Sequence, residues 1–167
     1  MFFLNQYEQK VVKYDLINKF KYNTVDEIPI LASISLNFRL KRFNVKNLIS
    51  AISSLKVLTS QNSIILKSQV PNIVLKIRKG HPIGCKVTLR KNLMNKFLFK
   101  LSNKMLLKSK TEITNNTIHI KINNILIFTE LEKNYQFFKN LTDLHIYIKT
   151  TKCQLNEFLF LTNAYKL

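Results

Sequence analysis

Both glycines of this 167-residue chain lie in one short segment, and their placement constrains the fold more than any other feature. Gly80 and Gly84 stand on either side of the tripeptide at residues 81–83. Glycine is the default residue where the backbone needs a positive φ or passes close to another backbone. Because the rest of the chain contains no glycine, the pair predicts such a backbone demand and a tight connection between two extended segments.

Two segments alternate in polarity with a period of two, which is typical of β-strands with one buried face. The strand predicted at residues 85–90 has an apolar face of Ile83, Cys85, Val87 and Leu89, and a polar face of Gly84, Lys86, Thr88 and Arg90. The strand predicted at residues 30–39 has an apolar face of Ile30, Ala32, Ile34, Leu36 and Phe38, and a polar face of Ser33, Ser35, Asn37 and Arg39. Both polar faces combine cationic residues with small hydrogen-bonding groups.

The remaining patterns divide between helices and strands. Apolar residues at helical spacing predict helices at residues 7–22, 45–55, 93–105 and 155–162, with Asn44 as the N-cap of the second. Extended runs are predicted at residues 63–67, 72–78, 117–122 and 144–149. In the run at residues 72–78, Ile73, Leu75 and Ile77 should point inward, and Val74, Lys76 and Arg78 outward. Residues 108–116 are predicted to form a polar loop, and residues 130–140 show no clear pattern.

This mixture of elements with short connections predicts an α+β fold, a largely antiparallel sheet with helices packed on one face, in a single domain over residues 1–167. The other sheet face would then be open and polar. It would carry Ser33, Ser35, Asn37, Arg39, Lys76, Arg78, Lys86, Thr88, Arg90, Tyr147 and Lys149. Such groups contact phosphates and 2′-hydroxyls, so this face is the candidate RNA-binding surface.

The charge balance favours a polyanionic partner. Lys and Arg number 27 against nine Asp and Glu, which leaves a net charge of +18 on a chain that is 46% hydrophobic. A folded, strongly basic domain is the usual footprint of nucleic-acid binding. The alternatives are a solvated cationic surface or attachment to a membrane surface. No apolar stretch approaches the roughly 18 residues of a transmembrane helix, so a membrane partner is not predicted.

The residues that catalysis or metal binding would require are scarce. The chain has no glycine-rich phosphate loop and no nucleophile elbow. Cys85 and Cys153 form no disulfide framework or zinc pattern, and the three histidines are too far apart in sequence to suggest a ligand set. The sequence therefore predicts neither an enzyme nor a bound cofactor or metal.

The segment IRKGHPIGCKVTLRKNLMNKFLFKL at residues 77–101 resembles the signature of the ribosomal protein L-five family, the universal large-subunit protein that anchors 5S rRNA. Two more segments resemble the same family in order and spacing. They are YEQKVVKYDLINKFKYNTVDEIPILASISLN at residues 7–37 and DLHIYIKTTKCQLNEFLFL at residues 143–161. Together the three segments frame nearly the whole chain.

The resemblance implies roles for particular residues. Asn37, Gln61 and Thr88 match family positions that contact 5S rRNA from the sheet. Lys67, Ser68 and Gln69 match a loop that faces P-site tRNA, and loops at the outer end would bridge to a protein of the small-subunit head. Three departures are visible, and one is that residues 108–116 replace a longer loop that bears arginine and glycine in the family. No glycine-rich turn follows Asn37, and the tRNA-facing loop is nearly neutral where the family's is basic.

The implied function is that of a structural constituent of the large ribosomal subunit in the central protuberance. It would bind 5S rRNA or an equivalent rRNA segment, large-subunit rRNA and neighbouring ribosomal proteins. A free-standing RNA chaperone or nucleoid-type protein is the alternative. Lys, Asn, Ile and Phe are abundant and Gly, Pro, Ala and Trp scarce, as expected of an A/T-biased genome. No transit peptide is evident, so the protein is either made in the compartment where it works or has already lost a leader. The bias, together with the resemblance, predicts a protein of the mitochondrial matrix ribosome that is encoded in the organelle.

Overall fold

A computed structural model describes residues 2–40, 44–74, 77–102, 110–114, 116–151 and 153–165. The helices are α1 (Phe2–Tyr7), α2 (Lys13–Lys19), α3 (Val45–Thr59), α4 (Lys91–Ser102), α5 (Thr129–Glu132), α6 (Tyr135–Phe138) and α7 (Leu155–Ala164). A π-helical turn, Glu8–Val12, joins α1 to α2, and 3-10 turns occupy Val25–Glu27 and Ile125–Ile127. The strands are β1 (Leu31–Arg39), β2 (Ile64–Lys67), β3 (Pro82–Leu89), β4 (Lys110–Thr114), β5 (Thr117–Ile122) and β6 (Leu144–Thr150).

The six strands form one sheet in the order β2-β3-β1-β6-β5-β4. β2 and β3 are antiparallel, with Ile64 opposite Lys86 and a register shift between Leu66 and Lys67. A hydrogen bond of 2.8 Å from the Leu40 N–H to the Ile83 carbonyl joins the end of β1 to the start of β3. Similar bonds join Thr151 to Ile30 and Thr150 to Asn116. Each bond pairs the end of one strand with the start of its neighbour, so the sheet is antiparallel and the predicted α+β class is confirmed.

The chain divides into two compact units. The first contains residues 1–34, 89–120 and 147–167, and the second contains residues 35–88 and 121–146. In the first unit, α1 packs against α4, and the Tyr7 hydroxyl donates to the Ala164 carbonyl at 3.3 Å. Phe20 meets Phe160 edge to face at 6.1 Å between ring centroids. The buried apolar residues of this unit include Leu16, Ile34, Leu89, Phe97, Leu101, Ile120, Ile148 and Phe158.

In the second unit, α3 packs against α5 and α6. Asn44 caps α3 as predicted, because its side chain accepts a hydrogen bond from the Lys46 N–H at 3.0 Å. The alternating residues of the strands and one stripe of α3 supply the core. Its members include Leu36, Phe38, Ala51, Leu55, Cys85, Val87, Phe128, Leu131, Leu144 and Ile146.

Both predicted backbone demands are present at the glycine corner. Gly80 has φ of +85°, in the region that L-residues with side chains rarely adopt. Gly84 is buried, and a Cβ at this position would overlap the carbonyl oxygen of Phe38 and lie 3.1 Å from its carbonyl carbon. Gly84 therefore allows β3 to run closely beside β1.

The prediction of a strand at residues 72–78 is wrong. Asn72 and Ile77 exchange two backbone hydrogen bonds of 2.9 Å, which closes a short turn. Ile73, which was predicted to point inward, is 93% exposed, whereas Val74, which was predicted to point outward, is 90% exposed. Leu75 and Lys76 lie outside the described residues. The alternation at residues 72–78 is too short to separate a strand from the tip of a hairpin.

Two further predictions need correction. The prediction of a loop at residues 108–116 is wrong for residues 110–114, which form β4. This strand pairs with β5, the next strand along the chain. Ile30 lies before β1 and is exposed. Within β1, Leu31 is buried and Ala32 exposed, so the predicted apolar face holds only from Ile34 onward. The period of two is thus broken once near the start of the strand. The remaining helices and strands lie where the sequence placed them, within a few residues.

Candidate nucleic-acid interface

The polar face of β1 and β3 in the second unit brings together several of the predicted residues. Ser35 on β1 and Thr88 on β3 are neighbours across the strand pair, with their hydroxyl oxygens 3.5 Å apart. Ser35 is buried, whereas Thr88 is exposed. The Thr88 hydroxyl is therefore accessible to a ligand, and its contact with the buried Ser35 hydroxyl helps to orient it.

Asn37 follows on the same face of β1. Its side chain is half-buried, and Oδ1 is shielded from solvent and accepts no hydrogen bond from the described residues. A buried acceptor without a donor costs about 1–3 kcal/mol relative to a satisfied one. Because Oδ1 is shielded, a bound partner could supply the missing donor only after the half-buried Asn37 side chain turned this oxygen toward the surface.

Lys86 lies one step from Thr88 along the polar face of β3. It is half-buried and forms no ion pair with any described residue. Its Cα partner on β2 is Ile64, and directly opposed residues of an antiparallel pair share a face. Ile64 is 72% exposed, so an exposed apolar residue lies opposite Lys86 on the same face of the strand pair. Sequence reasoning missed this neighbour, because the β2–β3 register cannot be read from β2 alone.

The other predicted contact residues fall outside this row. Arg39 is exposed at the last position of β1, and Gln61 is half-buried just after α3, where its N–H donates to Thr59 Oγ1 at 3.2 Å. Arg78 is exposed in the loop after the turn at residues 72–77, so its predicted place on the sheet is wrong. Lys76 lies outside the described residues. Arg90 belongs to the first unit and follows the end of β3, so its place within the strand is also corrected.

The loop predicted to face tRNA is built around Ser68. The Ser68 N–H donates to the His81 carbonyl at 2.8 Å, and its own carbonyl accepts from the Gly80 N–H at 2.9 Å. Its hydroxyl donates to the Val70 carbonyl at 2.6 Å, so its polar atoms are used within the hairpin. Lys67 and Gln69 are exposed and remain accessible to a partner.

The first unit carries a polar cluster of its own. The rings of His119 on β5 and Tyr147 on β6 stack with centroids 4.6 Å apart and planes 13° apart. Glu112 on β4 places Oε2 3.3 Å from Nδ1 of His119. Lys149 is exposed two residues after Tyr147. The sequence showed three separate histidines, and only strand pairing reveals that one of them stacks on a tyrosine.

Most of the positive charge of the protein is not balanced by its own carboxylates. Nine carboxylates cannot balance 27 cationic residues, and one of these carboxylates, Asp143, pairs with Lys121 at 2.9 Å. Burial raises the pKa of the Cys85 thiol to about 12, so it remains a neutral apolar group at physiological pH. Within the described ranges no group of three His, Cys, Asp or Glu side chains could hold a metal ion. No helix in the same ranges is long and apolar enough to cross a membrane.

A polar, cationic face on an antiparallel sheet is typical of basic nucleic-acid-binding proteins, and this is the class that the fold and the site indicate. Comparison with known proteins narrows this class. Residues 82–167 match the model that describes the C-terminus of the ribosomal protein L-five family. The chain therefore belongs to the ribosomal protein L-five family.

Three relatives illustrate the extent of the similarity. The large ribosomal subunit protein uL5m of Reclinomonas americana is 32% identical over 158 residues, covering 89% of this chain and 87% of the relative. The large ribosomal subunit protein uL5 of Geotalea uraniireducens is 35% identical with the same coverage. That of Clostridium acetobutylicum is 32% identical over 169 residues, covering 95% and 86%. The similarity thus extends well beyond the matched C-terminal part.

Proposed function

We propose that this protein is a structural constituent of the large ribosomal subunit and that the polar face of β1 and β3 binds 5S rRNA or an equivalent rRNA segment. The observation that carries the proposal is the contiguous polar row of this face. This row contains the exposed Thr88 hydroxyl and the Lys86 ammonium group. It also contains Asn37, whose side-chain oxygen has no donor among the described residues. Membership of a ribosomal protein family supports rRNA as the ligand.

The contacts divide by chemistry. Asn37, Gln61 and Thr88 would fix the register of the RNA through hydrogen bonds, because uncharged donors and acceptors are geometrically selective. The cations Arg39, Lys76, Arg78, Lys86 and Arg90 would contribute affinity through release of counterions from the phosphates. Ser35 would orient Thr88 through the contact between their hydroxyls.

Further partners belong to the same proposal. Lys67 and Gln69 are exposed at the hairpin and would face P-site tRNA, with Ser68 holding the hairpin backbone. Large-subunit rRNA, neighbouring ribosomal proteins and a protein of the small-subunit head would complete the surroundings. The similarity to a relative named uL5m and the A/T-biased composition support a mitochondrial ribosome as the location.

A salt titration tests the proposal. We expect a 5S-like rRNA to bind markedly tighter than an unstructured RNA of the same length at ~200 mM salt, because nonspecific electrostatic binding has largely faded there. Equal affinities would favour a free-standing RNA chaperone and contradict the ribosomal assignment. Sedimentation of the native protein with large subunits provides a second readout.

The same titration locates the surface through Thr88→Val, which keeps the side-chain shape and removes the hydroxyl. We expect a loss of about 0.5–1.5 kcal/mol in the free energy of binding the structured RNA, the usual net worth of one hydrogen bond. Thr24→Val is the matched control, because Thr24 is exposed and its side chain makes no capping hydrogen bond. Unchanged affinity for Thr88→Val would place the RNA elsewhere on the protein.

A further inference from the structure

The stacked pair on β5 and β6 stands on the polar side of the sheet. Residues 118, 120 and 122 of β5 are buried isoleucines, so His119 points to the opposite face. Tyr147 lies between the fully buried Ile146 and Ile148 and points to that same polar face. Two aromatic rings on a polar sheet face are not needed for the core beneath them, which the isoleucines already fill.

The pair is held in place before any ligand arrives. Glu112 on β4 lies 3.3 Å from His119 Nδ1, and His119 stacks on Tyr147, so each ring is positioned by the other and His119 also by Glu112. Both rings remain half-buried, with part of their surface accessible. A preorganised platform loses little side-chain freedom on binding, which is the main cost that weakens flexible contacts.

The charged side chains around the two rings favour a base on the rings and a phosphate beside Lys149. The Glu112 carboxylate disfavours a phosphate on the His119 side, whereas an uncharged base is not repelled. Lys149 shares the face of Tyr147 two residues further along β6, a separation of about 7 Å. Its exposed ammonium group can therefore reach the phosphate of a nucleotide whose base lies on the rings. Unpaired bases stacked on aromatic side chains are the usual targets of such surfaces.

We propose that His119 and Tyr147 form a base-stacking platform that binds an unpaired nucleotide of the RNA ligand, with Lys149 contacting its phosphate. This inference rests on the RNA-binding function proposed above and adds a second contact of a different kind. The face of β1 and β3 offers hydrogen bonds and charge, whereas this platform recognises a nucleotide that is free of base pairing.

Substitution of Tyr147 tests the platform. With the structured rRNA at ~200 mM salt, Tyr147→Leu should weaken binding about five- to 160-fold, the range measured for loss of one base–aromatic stack. Tyr147→Phe keeps the ring and should bind within about twofold of the wild type. Tyr14→Leu is the matched control, because Tyr14 is an exposed tyrosine on α2, and it should leave affinity unchanged. Equal affinity of a folded Tyr147→Leu protein and the wild type would overturn the platform.

Photocrosslinking of the wild-type complex decides the question even if Tyr147→Leu fails to fold. Ultraviolet irradiation should attach a nucleotide to the peptide that contains residues 144–150, at a position that is unpaired in the RNA. Crosslinks confined to peptides that contain neither His119 nor Tyr147 would overturn the inference. The two proposals fail separately, because tight, salt-resistant RNA binding without a crosslink here contradicts the platform alone, whereas equal binding of structured and unstructured RNA contradicts the proposed function.

Discussion

Gly84 has no room for a side chain, whereas Gly80 has room but a backbone angle that side chains disfavour. The nearest atoms to a Cβ on Gly84 belong to the backbone of Phe38, which cannot move without displacing β1. Around Gly80, apart from its two chain neighbours, no atom of the described residues lies within 4 Å of such a Cβ, and the φ of +85° is what opposes substitution. One residue type thus answers two different physical demands within four positions.

This difference predicts unequal costs for the two alanine substitutions. Gly84→Ala should lower the free energy of unfolding by more than about 2 kcal/mol, the range for overpacking against a rigid backbone. Gly80→Ala serves as the control and should cost about 1 kcal/mol, the penalty for a side chain at positive φ. Urea denaturation of both variants measures the two values. A smaller cost for Gly84→Ala than for Gly80→Ala would contradict the close approach of β3 to β1.

At the scale of elements, helix α3 shows how a single cap residue defines a helix start. Asn44 has an extended backbone, and its side chain satisfies the Lys46 N–H, which has no partner within the helix. Asn134 occupies the equivalent position before α6 but makes no side-chain cap bond. The two asparagines are therefore a natural pair for comparison.

Asn44→Ala should lower the free energy of unfolding by about 0.5–2 kcal/mol, the usual cost of losing an N-cap. Asn134→Ala should cost less than about 0.5 kcal/mol, as expected for a surface position without such a bond. Thermal or urea unfolding followed by circular dichroism measures both. Equal effects of the two substitutions would show that the Asn44 bond does not stabilise α3.

In the hairpin formed by β2 and β3, backbone hydrogen bonding continues past the ends of the two strands. Ser68 continues the pairing through its bonds to Gly80 and His81, and the bridge between Asn72 and Ile77 closes the tip. The ladder therefore reaches beyond β2 and β3, although residues 73–74 are almost fully exposed. The described residues of the hairpin, up to residue 74 and from residue 77 onward, thus continue the pairing of β2 with β3.

For the whole molecule, charge is the dominant property. A net charge of +18 on 167 residues places like charges close together when the chain folds, and this repulsion opposes compaction. Few carboxylates are present to offset it. The free protein should therefore be less stable than the same fold in contact with a polyanion.

We expect the free energy of unfolding to rise as sodium chloride is raised from about 20 mM to about 300 mM, because the screening length falls from roughly 20 Å to below 10 Å. Sodium polyphosphate should produce the same rise at a far lower concentration, since a polyanion binds the cationic surface directly. A neutral osmolyte of matched osmolality controls for nonelectrostatic effects. A fall in stability with added salt would mean that attractive ion pairs outweigh the repulsion.

The sequence by itself determined the features that depend on local spacing. Helical periodicity located α3, α4 and α7, and alternation located β1, β3, β5 and β6. The two glycines were enough to predict a constrained corner, because glycine's unique steric freedom is a property of the residue itself. The segments around them were also enough to indicate the family.

Only the tertiary structure decided the features that depend on which strands pair and in what register. The pairing of Ile64 with Lys86 depends on the β2–β3 register, and the stack of His119 on Tyr147 joins residues far apart in sequence. The tip at residues 72–77 became a turn because two backbone hydrogen bonds closed it, which its brief alternation did not predict. Side-chain periodicity reports which face a residue occupies, but the neighbour across the sheet is set by long-range hydrogen bonding between strands.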